Sequence, residues 1–198
     1  MLTFEIQSGS IILTDPCYDT NTWCQSILYN VKKGMYGALA IMDPKSNRVK
    51  SLMAYNLSSL FEYPDICELL MSAPPLPQLG GVDSGQFGFF DLNHYRKNDS
   101  IGNAKLAEFM DSKEEGEAFY SACCYHTCDS TLKYGTLPYG VVSSSGWGDG
   151  AYTLKAYKDL NGEYIGFYVL FIDDIFLDDD NIDEEDDTEE EEDTEENQ

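Results

Sequence analysis

Tyr152-Thr153-Leu154-Lys155-Ala156-Tyr157-Lys158-Asp159-Leu160-Asn161-Gly162-Glu163-Tyr164-Ile165-Gly166-Phe167-Tyr168-Val169-Leu170-Phe171-Ile172 decides the fold. The arm from Tyr152 to Lys158 alternates with the period of two that marks a strand. Asn161-Gly162 is the dipeptide of a tight hairpin turn. On the returning arm, Glu163 to Ile172, the pattern places Ile165, Phe167, Val169 and Phe171 on one face and Tyr168, Leu170 and Ile172 on the other. Both faces are apolar, which predicts a central strand covered on both sides.

Working outward, Tyr139 to Ser145 reads as a strand that runs into the glycine-rich loop Gly146-Trp147-Gly148-Asp149-Gly150. Met35 to Met42 and Arg48 to Tyr55 form a second hairpin across Asp43-Pro44-Lys45-Ser46-Asn47, a segment of turn-forming residues. Here Val49, Ser51, Met53 and Tyr55 are expected on one face, with Lys50, Leu52 and Ala54 on the other. Leu2 to Gln7, Ser10 to Leu13, Ile27 to Val31, Gly80 to Asp83 and Gln86 to Asp91 read as further strands. Helices are expected at Asp65 to Met71, at Asn103 to Met110, and after the capping pair Ser112 and Glu115, where Ala118, Phe119, Ala122 and Cys123 fall at helical spacing. Gly135 to Pro138 is expected to end that helical region. Strands joined by short turns, with no βαβ alternation, predict an α+β chain built mainly of antiparallel sheet. A sandwich or partly open barrel with one or two helices fits, and a doubly wound dinucleotide fold does not. Residues 1–172 make a single domain, and 173–198 a disordered polyacidic tail.

The chain has 36 acids and 12 bases, a net charge of −24. Seventeen of those acids lie between Asp173 and Gln198, which leaves 19 against 12 in the body. Such a balance predicts repulsion from nucleic acid backbones and anionic lipid, and attraction to a basic protein. No apolar run reaches the roughly 20 residues that span a bilayer, and no N-terminal stretch has signal-peptide character. Cys17, Cys24, Cys67, Cys123, Cys124 and Cys128 are therefore expected to be reduced thiols in a cytoplasmic protein.

Three segments pair an aspartate with residues that force a turn: Thr14-Asp15-Pro16-Cys17-Tyr18, Gly81-Val82-Asp83-Ser84-Gly85-Gln86, and Ser143 to Tyr152. If they share one rim of the scaffold, they bring together Asp15, Tyr18, Trp23, Asp83, Ser84, Gln86, Ser145, Trp147, Asp149 and Tyr152 as a candidate binding site. Aspartate in such places caps its own turn. The sharper alternative is a carboxylate cluster of Asp15, Asp83 and Asp149, joined in one version by Asp91, holding Mg²⁺ or Ca²⁺ for metal-dependent hydrolysis. Gly146-x-Gly148-x-Gly150 lacks the Lys-Ser/Thr of a phosphate loop, though its backbone could form an anion nest. Cys123-Cys124-Tyr125-His126-Thr127-Cys128 has the wrong spacing for a zinc finger, and neither His94 nor His126 sits in a nucleophile motif.

The segments Ser10 to Tyr18, Val82 to Asp91 and Gly140 to Tyr152, in this order, resemble an uncharacterised domain family of bacteria and their phages. The resemblance extends over most of residues 9 to 172 and leaves out the acidic tail. It implies that the three turns belong together, and it implies no activity. The sequence thus points to a binding or interaction module, a phage or mobile-element accessory that engages a basic partner. The metal-dependent hydrolase stands as the alternative, and a nucleic-acid mimic working through the tail as a third reading.

Overall fold

The computed structural model describes residues 1–102 and 115–173. The expected helix at Asn103 to Met110, the Ser112 cap and the acidic tail beyond Asp173 lie outside these residues. Within them, eleven strands form two antiparallel sheets. The strands are β1 (Leu2–Ile6), β2 (Ser10–Thr14), β3 (Ser26–Tyr29), β4 (Gly34–Asp43), β5 (Arg48–Asn56), β6 (Gly80–Val82), β7 (Gln86–Asp91), β8 (Tyr134–Leu137), β9 (Gly140–Ser144), β10 (Gly150–Lys158) and β11 (Tyr164–Leu170). The six-stranded sheet has the order β1-β4-β5-β11-β10-β6, and the five-stranded sheet β3-β2-β7-β9-β8.

The sheets face one another across a core of Phe4, Ile6, Tyr36, Leu52, Phe167 and Val169 from one side and Ile11, Leu13, Phe87, Phe89 and Val141 from the other. Among the described residues, each outer face is covered by one α-helix. α1 (Ile66–Ser72) lays Ile66 and Leu70 on Met53, Ile165 and Tyr168. α2 (Glu115–Cys124) lays Ala118, Phe119, Ala122 and Cys123 on Ile12, Phe90, Val142 and Leu137. The sandwich alternative is therefore the architecture, and β11 is a central strand with apolar cover on both sides. No helix of the described residues is long and apolar enough to cross a membrane.

Two β-bulges change the faces expected from strict alternation. Between β4 and β5 the register moves from Ile41↔Ser51 to Met42↔Val49, leaving Lys50 as the extra residue. Val49 thus joins Leu52 and Ala54 in the inter-sheet core instead of Met53 and Tyr55. Between β10 and β11 the register moves from Tyr157↔Gly166 to Lys158↔Tyr164, which leaves Ile165 as the extra residue. Ile165 turns outward under α1, away from Phe167 and Val169. An extra residue in one strand inverts every side chain beyond it. At the other end of β11, the Lys50 carbonyl accepts from both Phe171 N (2.8 Å) and Ile172 N (3.1 Å), and both side chains enter the inter-sheet core. Ile172 accordingly leaves the face predicted for it. β8 was expected only as the end of a helical region. It is an edge strand paired to β9 from Tyr134↔Ser143 to Leu137↔Gly140.

Candidate functional site

The antiparallel register brings the three turns to one end of the sandwich. Thr14 at the end of β2 lies opposite Gly88 near the start of β7. Gln86, the first residue of β7, lies opposite Ser144, the last of β9. Val82 at the end of β6 lies opposite Gly150 at the start of β10. The loops after β2, between β6 and β7, and between β9 and β10 therefore share a rim, and Ser145 N donates to Gly85 O at 3.0 Å to tie two of them together.

The carboxylate of Asp15 joins the other pair. It is fully buried. Oδ1 accepts from Cys17 N (2.8 Å) and Ser84 Oγ (2.6 Å), and Oδ2 from Asp83 N (2.9 Å) and Ser84 N (2.7 Å). The bond to Cys17 closes the turn that Pro16 enforces. The other three fasten a loop 68 to 69 residues away along the chain. Four donors occupy this acceptor, which is the arrangement that makes a buried carboxylate tolerable. Asp91 is spent in the same way, accepting from Gln7 N (2.7 Å), Ser8 N (2.8 Å) and Asn93 N (2.9 Å).

Tyr95 and Arg96, which no sequence motif marks, hold the outside of the first turn. Tyr95 Oη donates to the Tyr18 carbonyl at 2.6 Å and approaches that of Asp15 at 3.2 Å. Arg96 Nη1 donates to the carbonyls of Pro16 (2.9 Å) and Cys17 (3.2 Å), and its Nε pairs with Asp19 at 3.1 Å. Gln86 points away from the aspartates: its Nε2 donates to Cys124 Sγ and its Oε1 accepts from Thr127 Oγ1 at 2.9 Å. Tyr18 interacts with Asp83 and Cys24 through its hydroxyl, and burial first, then these partners, push its pKa up.

The β9–β10 loop is bonded to itself and projects a tryptophan. Tyr152 Oη donates to the Gly148 carbonyl at 2.7 Å and approaches that of Ser145 at 3.0 Å, and Ser145 Oγ donates to Gly148 O at 2.9 Å. Gly148 N is taken by Ser145 O at 3.0 Å, which removes one donor from the possible anion nest. Gly146 has φ +59° and lies where a Cβ would come within 2.8 Å of Phe171 Cβ, so the loop presses on the core only because this residue is glycine. Arg48 donates to Gly146 O at 2.8 Å and stacks its guanidinium 4.9 Å from the Trp147 ring centre. Trp147 is 54% exposed and walls a groove of about 320 Å³ with Tyr152, Leu170, Phe171 and Asp173. Trp23, on the long loop after β2, is 86% exposed. The chain's two tryptophans thus both stand on the rim, Trp23 largely exposed and Trp147 about half exposed beside Arg48.

Between the rim loops and α2 is a cleft of about 580 Å³ lined by Cys17, Asp83, Ser84, Arg96, Glu117, Tyr120 and Ser121. Burial, then Asp15 and Asp83, push the Cys17 thiol up to about 12. Burial likewise pushes Tyr120 up to about 12, with Cys124 and Asp15 adding to the rise and Ser84 opposing it. A thiol held so high is protonated at neutral pH and is no activated nucleophile.

The structure therefore unites the loops but divides the carboxylates. Asp15 is sealed inside, while Asp83 and Asp149 are exposed on the rim. Among the described residues no three of His, Cys, Asp and Glu lie close enough to share a metal ion, at Asp15, Asp83 and Asp149 or at Cys123 to Cys128. Cys123 is buried beside Phe119 in the core under α2, and His126 packs on Gly135. His94 pairs with Asp99 at 2.9 Å and stacks on Tyr139. No family model matches the chain, and neither a curated protein nor a solved structure matches it.

Proposed function

We propose that this chain is a protein-interaction module that takes a basic partner on its loop rim. The observation that carries this reading is the presentation of Trp23 and Trp147, both exposed, on loops that are otherwise tightly bonded. An exposed tryptophan on a rigid loop is an interaction anchor, since it buries a large area at little cost in conformational entropy. Asp19, Asp83 and Asp149 are exposed on the same rim loops and set the sign of the partner. Asp173 lines the Trp147 groove, so the acidic segment that follows starts from this same rim. Its charge would steer a basic partner toward the site and accelerate encounter.

The hydrolase reading gains no comparable support. A metal ion at Asp15 would have to displace four hydrogen bonds that hold two loops together. The nucleic-acid-mimic reading depends on the tail alone and makes no use of the tryptophans.

Because both tryptophans of the chain are on the rim, intrinsic fluorescence reports its occupancy directly. The full chain is titrated with a lysine-rich peptide that contains leucine and phenylalanine but no tryptophan. A saturable blue shift, weaker at high salt and absent with a glutamate-rich peptide, is the expected result. Charge-driven binding with no change in emission would place the contact on the tail and refute the rim.

A further inference from the structure

The chain leaves α1 through Ala73-Pro74-Pro75-Leu76-Pro77, a segment whose conformation is set by its own composition. Each proline fixes its φ at about −65°, and the residues that precede one, Ala73, Pro74 and Leu76, are pushed to extended ψ. Ala73 has φ −59° and ψ 147°, which is polyproline II backbone. A polyproline II helix turns once in about three residues, and burial follows that period. Ala73 is 7% exposed and Leu76 packs on the inter-sheet core, so the edge they share faces inward. Pro74 and Pro77 share a second edge and Pro75 and Gln78 a third, and all four are exposed. A strand would instead put Pro74 on the same side as Leu76.

The segment is held in place before any partner arrives. Ala73 N donates to Leu70 O at 3.3 Å and Leu76 N to Leu154 O at 2.8 Å. The Lys155 ammonium donates to Met71 O, and the Gln78 side-chain amide to Trp23 O. The segment runs along β10 beyond the stretch that β6 covers: β6 pairs with Gly150 to Tyr152, and Pro75 lies opposite Lys155. Pro74, Pro75 and Pro77 have no N–H, so they cannot donate to a strand added on their outer side. A groove walled by aromatic rings needs no such donor. It takes pyrrolidine rings between its own side chains, and a preformed polyproline II helix enters it with little further loss of conformational entropy. Residues 72–79 carry no ionisable group, so the segment offers rings and not charge.

We propose that Pro74, Pro75 and Pro77 form a docking surface for a protein domain whose aromatic-lined groove reads polyproline II, of the WW type. The surface goes beyond the loop-rim reading. It selects by shape at a sheet edge and without charge, and it holds whether or not the rim takes a basic partner.

The test uses the full-length chain, labelled with ¹⁵N and titrated with an unlabelled WW domain that binds Pro-Pro-Leu-Pro peptides. Saturable amide shifts are expected at Leu76, Gln78 and Leu79. They should be no weaker at high salt, and absent with a WW domain whose groove aromatics are replaced by alanine. The double substitution Pro74→Ala, Pro75→Ala should weaken the binding by about tenfold or more, because it strips ring surface from both exposed edges. The double variant keeps its fold, since the two side chains are exposed and the segment is tied through the N–H groups of Ala73 and Leu76. An amide spectrum unchanged outside residues 73–79 checks this. Absence of shifts in the segment, shifts confined to the loop rim, an unaltered affinity in the double variant, or binding by the free peptide of residues 72–79 but not by the folded chain would overturn the proposal. So would a double variant that self-associates where the unaltered chain shows no binding, because the prolines would then only guard the edge of β10.

Discussion

Replacing Asp15 by alanine should destabilise the domain by about 3–5 kcal/mol, which makes it the most damaging single change among the rim aspartates. The figure follows from the bonds. Asp15 accepts from Cys17 N, Asp83 N, Ser84 N and Ser84 Oγ at 2.6 to 2.9 Å, with no solvent exposure. Hydrogen bonds to a charged acceptor contribute about 1.5–3 kcal/mol each, and a donor left buried without a partner costs about 1–3 kcal/mol. Summed naively, four such bonds exceed what a marginally stable domain could lose. Three of the donors belong to the turn at Asp83 and Ser84, which reaches the surface, and can rehydrate once the loop relaxes, so the lower half of the range applies. Asp15→Asn should be nearly as costly, because one amide nitrogen would face donors. The assay is urea denaturation at neutral pH, monitored by circular dichroism, with Asp149→Ala as the exposed control that changes stability by less than about 0.5 kcal/mol. A lower midpoint with an unchanged slope is expected for Asp15→Ala. A loss below about 1 kcal/mol would refute the reasoning, since it would mean that the two loops meet without this carboxylate.

Three further outcomes follow from the same geometry. With its thiol pushed up to about 12, Cys17 has a thiolate fraction on the order of 10⁻⁴ at pH 8, so peptide mapping after brief iodoacetamide treatment should find the exposed Cys128 alkylated long before it; equal labelling would contradict the burial and the neighbouring carboxylates that keep this thiol protonated. Burial lowers the pKa of His126 below its ordinary value near 6.5, so the unfolded chain binds the proton more readily. Its contribution to stability is therefore complete above that value and is lost as pH falls below it, and His126→Gln should flatten the fall in urea midpoint between pH 7 and 5. A Cβ at Gly88 would lie 2.3 Å from the Phe90 ring and 2.5 Å from the Val141 carbonyl, so Gly88→Ala should cost about 2–3 kcal/mol; a neutral result would show that the ring and the strand can shift together.

Most of the sandwich was legible wherever a strand strictly alternates. The final hairpin reveals its period, its Asn-Gly turn and its central position because burial on both faces leaves no polar register to confuse. The reading slipped at Lys50 and Ile165, where one extra residue inverts the alternation. Nothing local to Val49 or Ile165 announces this, because an apolar side chain is compatible with the core on either side of its sheet. Tyr134 to Leu137 was missed as a strand because glycine and a following proline resemble a helix terminator, while its pairing with Ser143 to Gly140 is a tertiary fact. For the site, turn chemistry placed three loops after three strands, and the register then brought them to one rim. Their carboxylates were another matter. Whether an aspartate beside a turn faces inward or outward depends on donors that arrive from elsewhere in the chain, here Asp83 and Ser84. Tyr95 and Arg96 were invisible for the same reason: a tyrosine hydroxyl and a guanidinium that bond to backbone carbonyls some 80 residues away leave no local pattern.

The buried carboxylate links the architecture of this rim to its electrostatics. Asp15 fastens the first loop to the second, and its charge also reaches the groups that line or back the cleft: Cys17, Tyr95 and Tyr120 are each harder to ionise because of it. The Arg96 guanidinium lines the same cleft and opposes that charge at Tyr95. The two roles cannot be separated at Asp15, where any substitution opens the loops as it removes the field. They can be separated at Asp83, whose exposed carboxylate bonds the Tyr18 hydroxyl while its backbone N–H holds the loop to Asp15. Asp83→Asn should thus keep the loops joined, since the amide oxygen can still accept from Tyr18, and bring the Cys17 thiol down toward its ordinary value, so that Cys17 is alkylated faster than in the unaltered chain; an unchanged rate would remove Asp83 from the causes.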